Sequence, residues 1–341
     1  MKIKTLALAL AIGATGLAAS QAFAAATIIN PAGTVALGVN DEGHLNTTTG
    51  NVAANAGATG LSYKFPDGSF RDATSPGCLC EGWGVSVNGT TSGYANVSTD
   101  GGAINLSLTS FASTASTATS VVSLTSLPGL SVTHAYAPST VASSTFFVAD
   151  VTITNTTGSA LTDVKYVRVM DWDVPLTEFR EFVTIKGTTT TTLLDDSHNN
   201  GFQTANPLVD GNGRSAATDN VDFEDVGVDD QGAYFRFNFG TLENDKSYSF
   251  KIFYGAAGDE AGALAAIAAE GLELYSLGQS SICTDTAAGT VCAAQNDSPT
   301  FIFGFKGVGG VPVNPVPEPA SLALLGLGLA GMASIRRRKA A

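Results

Sequence analysis

Histidine is nearly absent: His44, His134 and His198 are the only three in 341 residues. None belongs to a His-Glu-x-x-His pair, so a zinc protease site on a helix is excluded. There is no Gly-x-Ser-x-Gly elbow to present a nucleophilic serine. Cations are scarce too, 17 Lys and Arg against 30 Asp and Glu. Six of them sit in the termini, as Lys2, Lys4, Arg336, Arg337, Arg338 and Lys339. Between Ala25 and the apolar run that begins at Ala320, 11 cations remain against 30 anions, a net −19. Such a body repels nucleic acid and anionic headgroups. Basic partners, divalent cations or simple solubility fit it better. No fixed repeat period is present, which excludes a solenoid.

The two ends belong to transport rather than to the fold. Met1-Lys2-Ile3-Lys4 is a basic start, Leu6 to Leu17 an apolar stretch, and Ala22-Phe23-Ala24 a small-residue cleavage site. This order is that of a secretory signal peptide and predicts cutting after Ala24. At the other end Pro317-Glu318-Pro319 precedes the uncharged run 320–335 and four cations. As a helix that run spans about 24 Å, short of the ~30 Å hydrocarbon core. The cations mark its cytoplasmic side. A buried core helix is the alternative, but such a helix does not normally end a chain in Arg-Arg-Arg-Lys.

Pro-Glu-Pro, short apolar helix and basic cluster, in that order, resemble the PEP-CTERM sorting signal of Gram-negative bacteria that make exopolysaccharide. The resemblance covers Val316 to Lys339. It implies processing by an exosortase, a membrane cysteine protease, with Pro317, Glu318 and Pro319 as the recognised element and Arg336, Arg337 and Arg338 as the stop. It further implies passage through the secretion machinery, a transient membrane anchor, and a final place at the cell surface or outside the cell. Phrases such as Arg168–Pro175, Leu274–Gln279 and Phe305–Gly310 are similar to ones in other cargo of this kind, and supply no catalytic residues.

The body reads as mainly β, an antiparallel β-sandwich of jelly-roll or immunoglobulin-like type over 25–306, as one domain or as two sub-domains divided near residue 127. The Gly/Pro/Val linker 307–316 and the sorting segment 317–341 follow. Asp67-Gly68, Asn88-Gly89 and Asp100-Gly101 supply turns between short β-prone runs. Phe147, Ala149, Val151 and Ile153 alternate with polar residues, so one strand face is buried. Asn155-Thr156-Thr157-Gly158 is expected to turn that strand into a hairpin with Leu161–Trp172. A second hairpin is expected about Asn244-Asp245. Asp259–Glu270 is the one short Ala-rich helix, opened by acids and expected to cap one end of the sandwich.

Four cysteines in an exported chain point to disulfides. Cys283 and Cys292 close a local loop, whereas Cys78 and Cys80 either join each other or reach those two. The spacing fits no usual zinc-ligand pattern. Alternation places His134 in the core, and polar surroundings place His44 and His198 at the surface. Asp171 and Asp173 share a strand face about 7 Å apart, a separation that a glycosidase pair tolerates and that cation binding or plain solvation also explains. The acid-rich stretch 195–230 reads as a solvated loop. Its candidate calcium ligands are Asp222, Glu224 and Asp225, calcium being the only cofactor considered. An EF-hand is excluded because Arg214 takes a ligand position. Trp83 and Trp172 are candidates for stacking on sugar rings, with structural burial the alternative. Three functions are therefore carried forward: a non-enzymatic surface or matrix protein associated with exopolysaccharide in a biofilm or floc, a carbohydrate-binding module, and a polysaccharide-active enzyme using Asp171 and Asp173.

Overall fold

The computed structural model describes residues 25–211, 215–287 and 289–313. The signal-peptide residues Ala22 and Ala24 and the whole sorting segment lie outside them. Two antiparallel sheets face each other. The larger has nine strands, in spatial order Phe223–Asp229, Glu181–Lys186, Leu274–Gln279, Thr300–Lys306, Lys246–Ala257, Phe146–Asn155, Leu127–Pro138, Ala118–Leu124 and Leu106–Ser113. The smaller has six: Leu194–His198, Gln231–Asn238, Lys165–Trp172, Gly82–Val87, Thr91–Asn96 and Gly102–Ile104. A four-stranded sheet, Ala26–Ile29 to Phe70–Asp72, adds Ile28, Val35, Leu37 and Leu61 to the same core. These strand numbers exceed the seven to nine of an immunoglobulin-type sandwich and the eight of a jelly roll.

The period-two reading holds where one face is wet. Phe147, Ala149, Val151 and Ile153 are fully buried, each such large side chain contributing about 1.5–3 kcal/mol. Asn88 and Gly89 both have positive φ in the three-residue loop 88–90 that turns Gly82–Val87 into Thr91–Asn96.

Both expected hairpins between apolar strands are instead crossings from sheet to sheet. Phe146–Asn155 pairs with Leu127–Pro138 and Lys246–Ala257, while Lys165–Trp172 pairs with Gln231–Asn238 and Gly82–Val87. The two crossings run side by side: Leu161 bridges Leu242, and the Asn155 side-chain amide donates to the Leu242 carbonyl at 2.9 Å. Alternation specifies which face is apolar but not which sheet the next strand joins. The 195–230 stretch also differs from its reading as a loop, since it contains Phe223–Asp229, whose Phe223 and Val226 pack on the core.

The helix Glu260–Glu270 starts at Asp259, whose side chain accepts the Gly262 N–H, and ends at Gly271 in the left-handed conformation. It lies on the outer face of the nine-stranded sheet rather than over an end of the sandwich. There Phe253, Tyr275, Leu277 and Ile302 point outward and are apolar, and Ala263, Ala266 and Ile267 cover them. Those strands are apolar on both faces, so a second layer is needed.

The sheets are joined at their centre by polar groups. Arg168 and Glu81, both fully buried, form an ion pair through the Arg168 Nε. The Arg168 guanidinium also donates to the Gly43 carbonyl and the Tyr136 hydroxyl at 3.2 Å. Glu81 accepts the Leu45 N–H at 2.6 Å and the Tyr254 hydroxyl at 3.2 Å. Gly43 has φ +84°, and a Cβ there would come within 2.8 Å of the His134 ring, so no other residue fits. His44 is buried here, against the expectation of exposure. Burial and then the Arg168 charge push its pKa down to about 3, and the same causes hold His134 well below the usual range. Both rings are neutral.

Glu81→Gln leaves the Arg168 cation buried without a counter-ion. It should destabilise the protein by about 3–5 kcal/mol in urea titration, and adding Arg168→Met should recover part of that loss. Equal losses in the single and double variants would contradict the assigned pairing.

Candidate functional site

Asp171 is the penultimate residue of Lys165–Trp172. Alternation turns Tyr166, Met170 and Trp172 to the core, and Val167, Val169 and Asp171 to the opposite face. That face is covered: Ala205 packs with Val167, Val169 and Tyr234. Gly201 lies so close that a Cβ would stand 2.6 Å from the Asp171 Cα. One step on, Asp173 donates its N–H to the Ala73 carbonyl at 2.7 Å. The register that sets Trp172 opposite Gln231 brings Asp230, in the turn before Gln231, to the same place. One carboxylate oxygen from each of Asp171, Asp173 and Asp230 lies within 4.8 Å of the other two. Glu181, the first residue of Glu181–Lys186, accepts the Gln231 N–H at 2.9 Å.

Asp171 is 1 % exposed, and Asp173 and Glu181 are 0 % exposed. Yet Asp171 Oδ1, both oxygens of Asp173 and Glu181 Oε2 have no hydrogen-bond partner. Among the described residues no Lys, Arg or His forms an ion pair with any of the four acids. Asp72, equally buried, is different: it accepts from the Gly60 N–H at 2.7 Å, the Ser62 hydroxyl at 2.6 Å and the Thr74 N–H at 2.9 Å. Loss of water, then the charges of Asp230 and Glu181, push Asp171 up to about 9. Loss of water, then Asp171 and Asp230, do the same for Asp173, and burial does so for Glu181. Burial, then Asp229, raise Asp230 as well.

Cys78 and Cys80 are joined to each other, and Cys283 to Cys292. The first bridge borders the acids, with Cys78 Sγ 3.3 Å from Asp171 Oδ2. A bridged sulfur carries no proton, so this contact is no hydrogen bond.

The acids Asp171 and Asp173 are thus brought together, and closer than strand spacing alone gave. Both are buried, whereas a glycosidase pair flanks a sugar bond. Asp222, Glu224 and Asp225 do not converge. Asp222 accepts from Thr188 at 2.7 and 2.8 Å, Glu224 pairs with Lys186 at 2.9 Å, and Asp225 bonds Thr184. Thr184, Lys186 and Thr188 follow one another along the antiparallel neighbour Glu181–Lys186 and just past it, so each acid meets its own partner. Trp83 and Trp172 are fully buried, with their indole N–H groups on the Glu42 carbonyl at 2.8 Å and the Ser276 hydroxyl at 3.0 Å. Neither offers a face to a sugar. His198 is buried as well, stacked on Tyr234 at 4.5 Å. Glu181 and the role of Asp230 were missed, because strand partners were needed to see them.

A family model described as the PEP-CTERM protein-sorting motif matches residues 315–339. The chain carries an exosortase sorting signal. It is accordingly an exported protein sorted by that route. Pro317, Glu318, Pro319 and Arg336 to Arg338 all fall inside the PEP-CTERM match. No curated protein matches the chain. Among the described residues no helix is long and apolar enough to cross a membrane, and the run 320–335 lies outside them.

With chelator present, Asp171, Asp173 and Glu181 have folded pKa values near 9, above those of an unfolded chain, about 4. Their share of stability is full below the unfolded value and is lost as pH rises through about 9. Urea midpoints should therefore fall more from pH 5 to pH 8 in the native protein than in Asp173→Asn. His44 and His134 act in the opposite sense, losing stability as pH falls below about 6.5, but equally in both proteins. Parallel profiles would show that Asp173 is not raised.

Proposed function

We propose that this protein is an exported, exosortase-processed component of the cell surface or extracellular matrix, with a non-enzymatic structural or adhesive role beside the cell's exopolysaccharide. The sorting motif at 315–339 carries the reading. The body it delivers supports it: a strongly acidic antiparallel sandwich whose large aromatic and titratable groups serve the core. Secretion machinery reads residues 1–24, the run 320–335 anchors the chain for a time, and exosortase cuts near Pro317–Pro319. Deleting 317–341 should deplete the protein from the cell surface and lower the cohesion of biofilm or floc. Normal surface display together with normal cohesion would refute this reading.

One observation favours carbohydrate binding as a second reading. Beside Asp173 lies an open depression of about 440 Å³ lined by Asn55, Ser75, Pro76, Gly77, Glu178 and Phe179. Phe179 is 46 % exposed there, so an aromatic face stands next to polar groups, as sugar subsites require. Phe179→Ala should abolish glycan-array binding by the secreted protein if this reading holds. Flat arrays with the native protein would end it.

A further inference from the structure

The acid cluster presents a problem that protonation alone does not solve. A neutral carboxylic acid in the interior still has an O–H to give and a carbonyl oxygen to satisfy. Asp173 has neither oxygen bonded, and Asp171 and Glu181 each leave one unbonded. Elsewhere the same fold satisfies buried acids fully, as at Asp72 and Glu81. Leaving such groups unpaired is expensive. A cation placed among them would engage the free oxygens at once.

We propose that Asp171, Asp173 and Asp230, with Glu181 beside them, bind one calcium ion. The donors are all carboxylate oxygens, the hard ligands that calcium and magnesium take and softer metals do not prefer. The sulfurs of Cys78 and Cys80 are bridged and so are not thiolates. Coordination habit separates the two ions: magnesium demands a near-ideal octahedron, keeps several waters and is usually held by one or two carboxylates, whereas calcium accepts an irregular set of protein oxygens. One oxygen from each of the three aspartates lies within 4.8 Å of the other two, close enough to share one calcium ion. Asp171 and Asp173 come from one strand end and Asp230 from the turn before Gln231, so three carboxylates converge, as calcium takes them. Asp230 is exposed and gives the ion a way in. On the other side, a Cβ on Gly77 would lie 3.6 Å from Asp173 Oδ1, so the open depression adjoins the site and has room for water ligands.

Bound calcium would join the end of Lys165–Trp172 in one sheet to the start of Glu181–Lys186 in the other. This inference goes beyond the matrix reading and does not depend on it, since its readout is ion binding rather than cell cohesion.

The test uses the secreted protein recovered from its producer, disulfides intact and treated with chelator, with calcium chloride alone as probe. Calorimetry should find one calcium per chain, and the melting temperature should rise with calcium and fall back with EDTA. Asp173→Asn should weaken binding at least as much as changes to outer-shell groups do, about 10- to 100-fold, yet without calcium it should melt no lower than the native protein. Asp230→Asn, at an exposed position, serves the same purpose should the buried variant fold poorly. Absence of calcium binding at millimolar concentration would overturn the proposal. So would a calcium response unchanged in both variants, which would put the ion elsewhere. A magnesium response equal to that of calcium would overturn the choice of ion.

Discussion

The Arg168–Glu81 ion pair is the constraint around which the sandwich is arranged. A charge pair taken wholly out of water is held only where its remaining donors and acceptors are met. Meeting them requires Tyr136 and Tyr254 from the large sheet, and the backbone of Gly43 and Leu45 from the N-terminal region. Arg168 itself comes from the small sheet. The pair therefore fixes how three sheets sit together. Apolar packing alone tolerates repacking. The aromatic layer follows the same plan, with Trp83 stacked on Tyr166 at 5.9 Å and against His134 at 4.5 Å. His134 completes it by meeting the Tyr166 hydroxyl at 2.8 Å.

That centre gives the acid cluster its meaning. Each has one buried ionisable group on the strand Lys165–Trp172, Arg168 and Asp171, only three residues apart in sequence. At Arg168 the fold supplies a counter-charge and several hydrogen bonds. At Asp171 it supplies more acids. A chain able to satisfy one site so completely is not merely badly packed at the other. The unmet oxygens are a feature of the protein as it stands alone, and they mark where something outside the chain is needed.

Local chemistry was legible in the sequence. Asp259 and Gly271 delimit the helix, Asn88-Gly89 makes a tight hairpin, and the alternation from Phe147 to Ile153 marks a half-buried strand. Whatever depended on the identity of a neighbouring strand was not. Asn155–Leu161 and Asn238–Lys246 look like hairpin turns because alternating strands flank them, yet each carries the chain to the opposite sheet. Polar residues around His44 and His198 in sequence place both at the surface, and for Trp83 and Trp172 the local sequence allows either sugar stacking or burial. In space, glycines such as Gly43 against His134 and Gly278 against Trp172 are what allow large rings to be buried. Asp230 joins Asp171 only through the register of Trp172 with Gln231, which no local pattern encodes.

The distribution of charge links the body to its route. Several of its few cations are committed: Arg236 to Asp195 at 2.7 Å and Asp210 at 3.0 Å, Lys165 to Asp195 at 3.3 Å, Lys186 to Glu224 at 2.9 Å, and Lys251 to Asp150. The exposed pairs among these add little stability, but together they leave a mostly anionic remainder facing solvent. Self-repulsion of that remainder opposes compaction. An inner ion pair that locks the sheets, two short-range disulfides and a further acid centre open to a cation all act against it. A body built in this way gains most from cations once it is outside the membrane, which is where the sorting signal sends it.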